Sequence, residues 1–116
     1  MLAIHRLGLL GELKVQHYFV EQGYQVYSPL DLHDPYDLVV YREGIFSRVS
    51  VRTTASEQGD SWMVDIRSGH NSQNGFDTTI DLLVIYVAKE DRVVVYNAKE
   101  ITNKRGISIP KLSEAV

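Results

Sequence analysis

A carboxylate, a hydroxyl and two guanidinium groups are spaced in this sequence so that a hairpin of two strands would bring them together. Arg48, Ser50 and Arg52 alternate with valines, so in an extended strand all three point to the same side. Asp37 opens the apolar segment that precedes them. Guanidinium groups bind phosphate or carboxylate oxygens through planar pairs of hydrogen bonds. The set therefore predicts either a phosphate-binding site or a structural ion pair between Asp37 and Arg52.

The turn that joins the two segments predicts how they pair. Glu43–Gly44 is typical of a two-residue hairpin loop, and it makes Arg42 the partner of Ile45. The same register, continued along the strands, places Asp37 directly across from Ser50. We therefore expect the carboxylate and the hydroxyl on one face of a sheet.

Four arginines could extend this region into a basic stripe for a nucleic-acid backbone: Arg42, Arg48, Arg52 and Arg67. The alternative is a solvated face on which these cations are interleaved with acidic residues. The chain has 12 Lys and Arg against 15 Asp and Glu, a formal net charge of -3. Because the protein as a whole is not a polycation, any contact with nucleic acid is expected to be local.

Zinc chemistry is not indicated. The chain has no cysteine, which excludes disulfides and thiolate zinc sites and favours the cytoplasm as its compartment. His17 is expected to be a packed, hydrogen-bonded residue of the first helix. The other three histidines, His5, His33 and His70, lack the close spacing of zinc ligands.

Length and composition predict one soluble domain spanning residues 1–116. Hydrophobic residues make up 44% of the chain and charged residues 23%. No apolar stretch approaches the roughly 20 residues of a membrane-spanning helix, and the first residues lack the pattern of a signal peptide. We therefore expect no membrane partner, and a shallow binding face rather than an enclosed chamber.

The first segment is predicted to be a helix over Leu7–Gln22. Apolar residues recur there at near-helical spacing, and Gly23 stands where a helix usually stops. Gly8 and Gly11 weaken a helix by roughly 1 kcal/mol each relative to alanine, so we expect both to pack closely against another backbone. Glu12 is interpreted either as an ordinary exposed helix residue or as a carboxylate directed inward.

The rest of the chain predicts strands, at Tyr24–Tyr27, Asp37–Tyr41, Phe46–Thr53, Trp62–Arg67, Ile80–Val87, Arg92–Tyr96 and Ile107–Ile109. One helical turn is predicted at Ala98–Thr102, and residues 68–78 form a long polar loop. Trp62 and the seven tyrosines are attributed to core packing. The order of elements predicts an α/β fold in which one mixed sheet is flanked by helices.

The ordered set of motifs resembles the PD-(D/E)xK nuclease superfamily, which has the restriction-endonuclease-like fold. The pieces that match are Gly8-Leu9-Leu10-Gly11-Glu12, Tyr36 to Val40, Val49 to Thr53, and Ile80-Asp81. Small cyanobacterial-type intron homing endonucleases and archaeal Holliday-junction resolvases are the most similar groups within it. The resemblance runs from about Leu7 to Ile109, and it implies DNA as a partner.

The resemblance also implies Mg²⁺ as cofactor and catalytic roles at Glu12, Asp37, Ser50 and Arg52. The metal would be held by Asp37, by the carbonyl of Val51 and by Glu12 through water. Two positions depart from the family, because Ser50 stands where it has Glu or Gln and Arg52 where it has Lys. The missing carboxylate predicts weak metal binding. An arginine cannot accept a proton at physiological pH, although it can hold a phosphate.

These departures leave two hypotheses about function. The first is a DNA-binding protein of nuclease fold, related to Mg²⁺-dependent endonucleases, whose hydrolysis of phosphodiester bonds is weak or lost; Glu12, Asp37 and Asp81 favour it. The second is a non-catalytic accessory subunit that retains the fold and binds a partner protein; Ser50 and Arg52 favour it. Relatives often act as dimers, so the resemblance also implies a homodimer.

Overall fold

The computed structural model describes residues 3–31, 36–67, 79–101 and 104–112. Helix α1 spans Ile4–Glu21, beginning somewhat before the predicted Leu7. It stops as predicted, because Gly23 follows at φ 88°, a left-handed conformation that favours glycine. Two of its buried side chains, Val15 and Phe19, lie in the core beneath it.

Eight strands follow α1 in the described part of the chain: β1 (Gln25–Tyr27), β2 (Leu38–Arg42), β3 (Ile45–Thr54), β4 (Ser56–Gln58), β5 (Ser61–Asp65), β6 (Leu82–Val87), β7 (Arg92–Asn97) and β8 (Gly106–Pro110). They form a five-stranded sheet in the order β1-β2-β3-β6-β7 and a three-stranded sheet in the order β4-β5-β8. Strands β3 and β6 run parallel, and the other neighbours are antiparallel. The predicted α/β class with a mixed sheet is confirmed.

Different elements cover the two faces of the five-stranded sheet. Helix α1 packs on one face, in a cluster of buried residues that includes Val15, Phe19, Leu38, Val40, Val49, Val51, Val84 and Tyr86. The β4-β5-β8 sheet covers part of the other face, around Trp62, Val64, Ile66, Leu83, Ile85, Ile107 and Ile109. The expectation of flanking helices thus holds on one face only. Two 3-10 turns accompany the sheet, at Ala88–Glu90 and at Ala98–Glu100, where a helical turn was predicted.

The β2–β3 hairpin has the predicted register. Arg42 pairs with Ile45, and the ladder runs without a break to Leu38 and Val49. Glu43 and Gly44 both have positive φ, 53° and 83°, as a two-residue turn of this type requires. The hairpin therefore places every side chain of β3 on the face that the alternation predicts.

Several expectations about single residues are settled by burial. Trp62 is buried as predicted, but the side chain of His17 is 70% exposed and lies 3.0 Å from Glu21, so its predicted packing is wrong. Tyr27, which was also attributed to core packing, is 48% exposed. His33, His70 and the predicted loop at 68–78 lie outside the described residues. Within the described ranges, no helix is long and apolar enough to span a membrane.

Candidate functional site

Asp37 lies at the point where β2 and β3 separate. The last regular pair of the ladder is Leu38 with Val49, and the backbone N–H of Asp37 donates to the Val49 carbonyl at 2.8 Å. The Asp37 carboxylate then accepts the next free N–H of β3, that of Val51, at 2.7 Å. The regular pairing thus ends one residue before Asp37. The predicted pair of Asp37 with Ser50 is not part of the ladder. The Asp37 carboxylate is fixed to the edge of β3 by this charge-assisted hydrogen bond.

Glu12 of helix α1 approaches the same edge. Partial burial raises the pKa of the Glu12 carboxyl, and the neighbouring Asp37 raises it further, by charge repulsion and by a side-chain hydrogen bond. Of the two interpretations of Glu12, the inward carboxylate is the one that agrees with this arrangement. Two acidic groups so close together favour either a shared proton or a bound cation.

Gly11, immediately before Glu12, explains how the helix can come so close. A Cβ atom at position 11 would lie 1.9 Å from the hydroxyl oxygen of Thr53 on β3, so only glycine fits. Gly8 differs from the prediction, because a Cβ atom there would meet nothing within 4 Å. Close packing therefore requires one of the two glycines, and it is the one that sets the position of Glu12.

The Arg52 guanidinium is held by its own strand. Its Nη1 donates to the Ser50 hydroxyl at 2.7 Å and to the Val51 carbonyl at 3.1 Å. Ser50 is 2% exposed, so this hydroxyl has little access to any other partner. In the described part of the chain, no ion pair joins Arg52 to Asp37, which does not favour the structural ion pair that the sequence left open.

A groove between α1 and β3 joins Glu12 to Arg52. It encloses about 410 Å³ and is lined by residues that include Gly8, Glu12, Val51, Arg52 and Thr53. The strand contributes both of its faces here, because Val51 belongs to the core beneath α1 and its neighbour Arg52 points to the other face. The groove is shallow, as expected for a chain of this length.

The other three predicted arginines have internal partners. Arg48 binds the Asp81 carboxylate, with 3.1 Å between Nε and Oδ2. Arg67 binds Asp65 through Nε at 3.0 Å, and this pairing lowers the pKa of Asp65 to about 2. Arg42 points toward the helix end, donating to the Gln22 carbonyl at 2.9 Å and stacking on Tyr24. These arginines do not line one side of the molecule as a continuous stripe.

Two acidic residues have roles that the sequence predicted only in part. Asp81, just before β6, accepts the backbone N–H of Arg48 at 2.7 Å. Asp65 was not singled out, although it contributes a favourable charge near Arg52. The sequence signal that could have identified this pair is the spacing of Asp65 and Arg67, because residues two apart share one side of an extended segment.

The donor atoms present are suited to a divalent cation. Glu12 and Asp37 offer carboxylate oxygens and Val51 a carbonyl oxygen, the hard ligands that Mg²⁺ prefers, and burial together with the neighbouring Asp37 raises the pKa of Glu12. The Val51 carbonyl already has a hydrogen-bond partner, because Arg52 donates to it. No group of three His, Cys, Asp or Glu side chains converges among the described residues. The set fits a weak site resting on two carboxylates.

The fold is endonuclease-like. Residues 3–109 match the PD-(D/E)XK endonuclease family, and the chain belongs to that family. The resemblance noted in the sequence is therefore confirmed. Nucleases of the family generally use divalent metal ions.

Two particular proteins are similar over nearly the whole chain. Protein 5.3 of Escherichia phage T7 is 29% identical over 115 residues, which cover 97% of this chain and 95% of that protein. The structure of the bacterial homing endonuclease I-Ssp6803I superposes with a TM-score of 0.79 at 23% sequence identity, over 98% of this chain and 80% of that one. The superposition confirms the endonuclease-like fold.

Proposed function

We propose that this protein is a DNA-binding protein of nuclease fold in which Mg²⁺-dependent phosphodiester hydrolysis is weak or lost. The observation that carries the proposal is the pair of carboxylates, Glu12 and Asp37, brought together beside Arg52 by α1 and β3. Family membership supports DNA as the substrate class. The expected cytoplasmic location and the single domain are parts of the same proposal.

The proposed mechanism assigns a task to each of four residues. Asp37 and Glu12, with the Val51 carbonyl, would hold Mg²⁺, which would polarise the scissile phosphate and lower the pKa of the attacking water. Arg52 binds the phosphate and neutralises the charge that develops on it. Since its guanidinium stays protonated, Arg52 takes no proton from the attacking water.

Two features make hydrolysis slow. Ser50 supplies a neutral hydroxyl where the family has a carboxylate or an amide, so the Mg²⁺ site has fewer anionic ligands. Arg52 holds both that hydroxyl and the Val51 carbonyl, and it must release the carbonyl before the metal can use it. Losing one positioned electrostatic group costs on the order of 10² to 10³ in rate, and two are altered here.

Cleavage of supercoiled plasmid and of branched DNA in Mg²⁺ or Mn²⁺ tests this proposal, beside DNA binding measured in EDTA. We expect binding with slow cleavage or none. The test variant is Asp37→Asn, whose amide oxygen can still accept the Val51 N–H, and the control is Asp60→Asn on an exposed turn. Rapid metal-dependent cleavage that Asp37→Asn abolishes would show a full enzyme. A failure to bind any DNA would overturn the proposal.

The second candidate function is a non-catalytic accessory subunit, and the hold of Arg52 on two would-be metal-site oxygens favours it. In that case Mg²⁺ leaves the melting temperature unchanged and no DNA is cut under any condition. Sedimentation of the purified protein, alone and with DNA, measures whether a homodimer forms.

A further inference from the structure

We propose that the uncovered part of the central sheet binds unpaired bases of single-stranded DNA beside the candidate site. The proposal rests on the proposed function and specifies its substrate. It concerns the side of β1, β2 and β3 that faces away from α1. The first step is to identify which side chains lie there.

Alternation along the strands identifies the side chains that face away from α1. Val40 and Val49 pack in the core beneath α1, so their neighbours Tyr41 and Arg48 point to the opposite side. Tyr41 pairs with Phe46 across the hairpin, which places Phe46 on that side as well. The second sheet packs over β6 and β7, and neither core cluster of the described residues includes Tyr41 or Phe46.

Three aromatic rings form a cluster on this surface. The Phe46 ring lies 4.5 Å from that of Tyr41 and 6.4 Å from that of Tyr27, measured between centroids. Phe46 is nevertheless 63% exposed and Tyr27 48% exposed. We call Tyr27, Tyr41 and Phe46 the aromatic cluster. An exposed ring supported by two others offers a flat apolar surface at little cost in conformational entropy.

Positive charge lies next to the aromatic cluster. Phe46, Asp81 and Lys99 line a groove of about 340 Å³. Asp81 is paired with Arg48, and Lys99 also lowers the pKa of Asp81, after the larger effect of the Arg48 hydrogen bond. Two cations and one carboxylate thus lie beside the aromatic cluster, in a protein whose net charge is -3.

The aromatic cluster lies on the same strand as the candidate site. Phe46, Arg48, Ser50 and Arg52 are alternate residues of one strand. Side chains on one side of a strand repeat at about 6.6 to 6.8 Å. Ser50, between Arg48 and Arg52, is 2% exposed, so the exposed surface beside the aromatic cluster extends along β3 only as far as Arg48.

The aromatic cluster favours single strands over duplex. Aromatic side chains stack on the faces of bases, and those faces are accessible only where bases are not stacked in a duplex. Each such contact contributes roughly tenfold or more in affinity. An open sheet face also lacks the helix or two-stranded ribbon that enters the major groove of duplex DNA.

Fluorescence anisotropy with a labelled oligonucleotide, single-stranded or annealed to its complement, tests the inference in EDTA. We expect tighter binding of the single strand, and a loss of about tenfold in that affinity in Phe46→Ala. Val20→Ala, at a 61% exposed position on α1, is the matched control. In Phe46→Trp the single strand should bind as well as in the natural protein and should quench the new tryptophan.

Four outcomes would overturn the inference. If the duplex binds more tightly, or if Phe46→Ala and Val20→Ala behave alike, the aromatic cluster does not bind bases, although the proposed function stands. If Phe46→Ala changes the sedimentation mass but not the DNA affinity, the cluster is an interface between copies of the chain. If neither form of DNA binds, the proposed function fails together with the inference.

Discussion

The side chain at position 52 determines which oxygens of β3 are free to bind other groups. The Arg52 guanidinium reaches back to Ser50 and Val51 of its own strand. A lysine has no planar fork with which to hold both at once. The two departures from the family are therefore coupled, since the hydroxyl at 50 is the partner of the guanidinium at 52.

The double variant Ser50→Glu with Arg52→Lys should bind Mg²⁺ more tightly than the natural protein. It restores a carboxylate on β3 beside Asp37 and releases the Val51 carbonyl, and Mg²⁺ commonly rests on one or two carboxylates. Without metal, repulsion among the acidic groups should lower the melting temperature. Millimolar Mg²⁺ should then raise it by about 3 to 5 °C, which corresponds to roughly 1 kcal/mol of binding free energy.

Ser50→Glu alone is the control for this experiment. A glutamate beside Arg52 can form an ion pair and leave the metal unbound, so a single variant with the same Mg²⁺ response as the double would contradict the coupling. If Mg²⁺ changes the melting temperature of neither the double variant nor the natural protein, the acidic groups do not form a metal site.

The candidate residues could be selected from the sequence, but their partners could not. The hairpin turn was enough to predict the register of β2 with β3, whereas Asp37 lies beyond the regular pairing and approaches Glu12 of α1. The sequence left open whether Arg52 pairs with Asp37, because a guanidinium on a flexible stem reaches several acceptors. Likewise, nothing local pairs Arg48 with Asp81, which lies 33 residues further along the chain.

At the scale of elements, α1 is seated on β3 through Gly11. Gly11→Ala should lower the free energy of unfolding by about 1 to 3 kcal/mol, because the new methyl group meets the Thr53 hydroxyl at 1.9 Å. Gly8→Ala, in the same helix but in open space, should raise it by roughly 0.5 to 1 kcal/mol. Urea unfolding of both variants measures the contrast.

Thr53→Ala combined with Gly11→Ala separates the clash from other effects. Removing the hydroxyl makes room for the methyl group, so the double variant should be more stable than Gly11→Ala alone. Equal losses in Gly8→Ala and Gly11→Ala would show that the helix is not held by this contact.

Asp81 joins three strands of the central sheet. Its carboxylate accepts from Arg48 of β3, its N–H donates to the Arg48 carbonyl at 2.9 Å, and its own carbonyl accepts the Ala98 N–H after β7 at 3.0 Å. The Arg48 hydrogen bond is the main reason that the pKa of Asp81 is lowered from 3.8. Asp81 therefore stabilises the protein above its unfolded-state pKa, and this contribution is lost as the pH falls through the lower folded-state value.

Asp81→Asn should cost about 1 kcal/mol at pH 7, because it weakens a charge-assisted hydrogen bond. The difference from the natural protein should shrink as the pH falls below 3.8, where the aspartate is protonated first in the unfolded state, and should vanish below the lower folded-state pKa. Chemical unfolding at neutral and at acidic pH checks this, with Asp60→Asn as the control. A difference that stays constant down to acidic pH would mean that the charge of Asp81 has no part in the effect.

Elements with a strong local signal were predicted well. Helix α1, the β2–β3 hairpin and the apolar strands β6 and β7 each carry their own periodicity or turn. Strand β4 has no such periodicity, since Ser56–Gln58 is polar and exposed throughout. The three-stranded sheet was missed for a related reason: β5 finds its second partner in β8, far along the chain, and no local pattern indicates that pairing.

For the molecule as a whole, the net charge of -3 limits how DNA can be held. We expect contacts from Arg48, Arg52 and Lys99, so the logarithm of single-strand affinity should fall with the logarithm of salt concentration with a slope of about -2. Lys99→Gln should make this slope shallower by roughly 0.7, without changing the preference for single strands. A slope much steeper than that would mean that phosphates are bound on another surface.

The parallel pairing of β3 with β6 has a consequence for biosynthesis. Strands emerge from the ribosome in sequence order, and β3 acquires its second neighbour only after β4 and β5 have been made. Until then the nascent chain displays one edge of its central strand, which can pair wrongly with another chain. Glu12, Asp37 and Arg52 are all present by that stage, but the strand that positions them is still held on one side only. The site should therefore take its final shape late, when Val87 has left the ribosome.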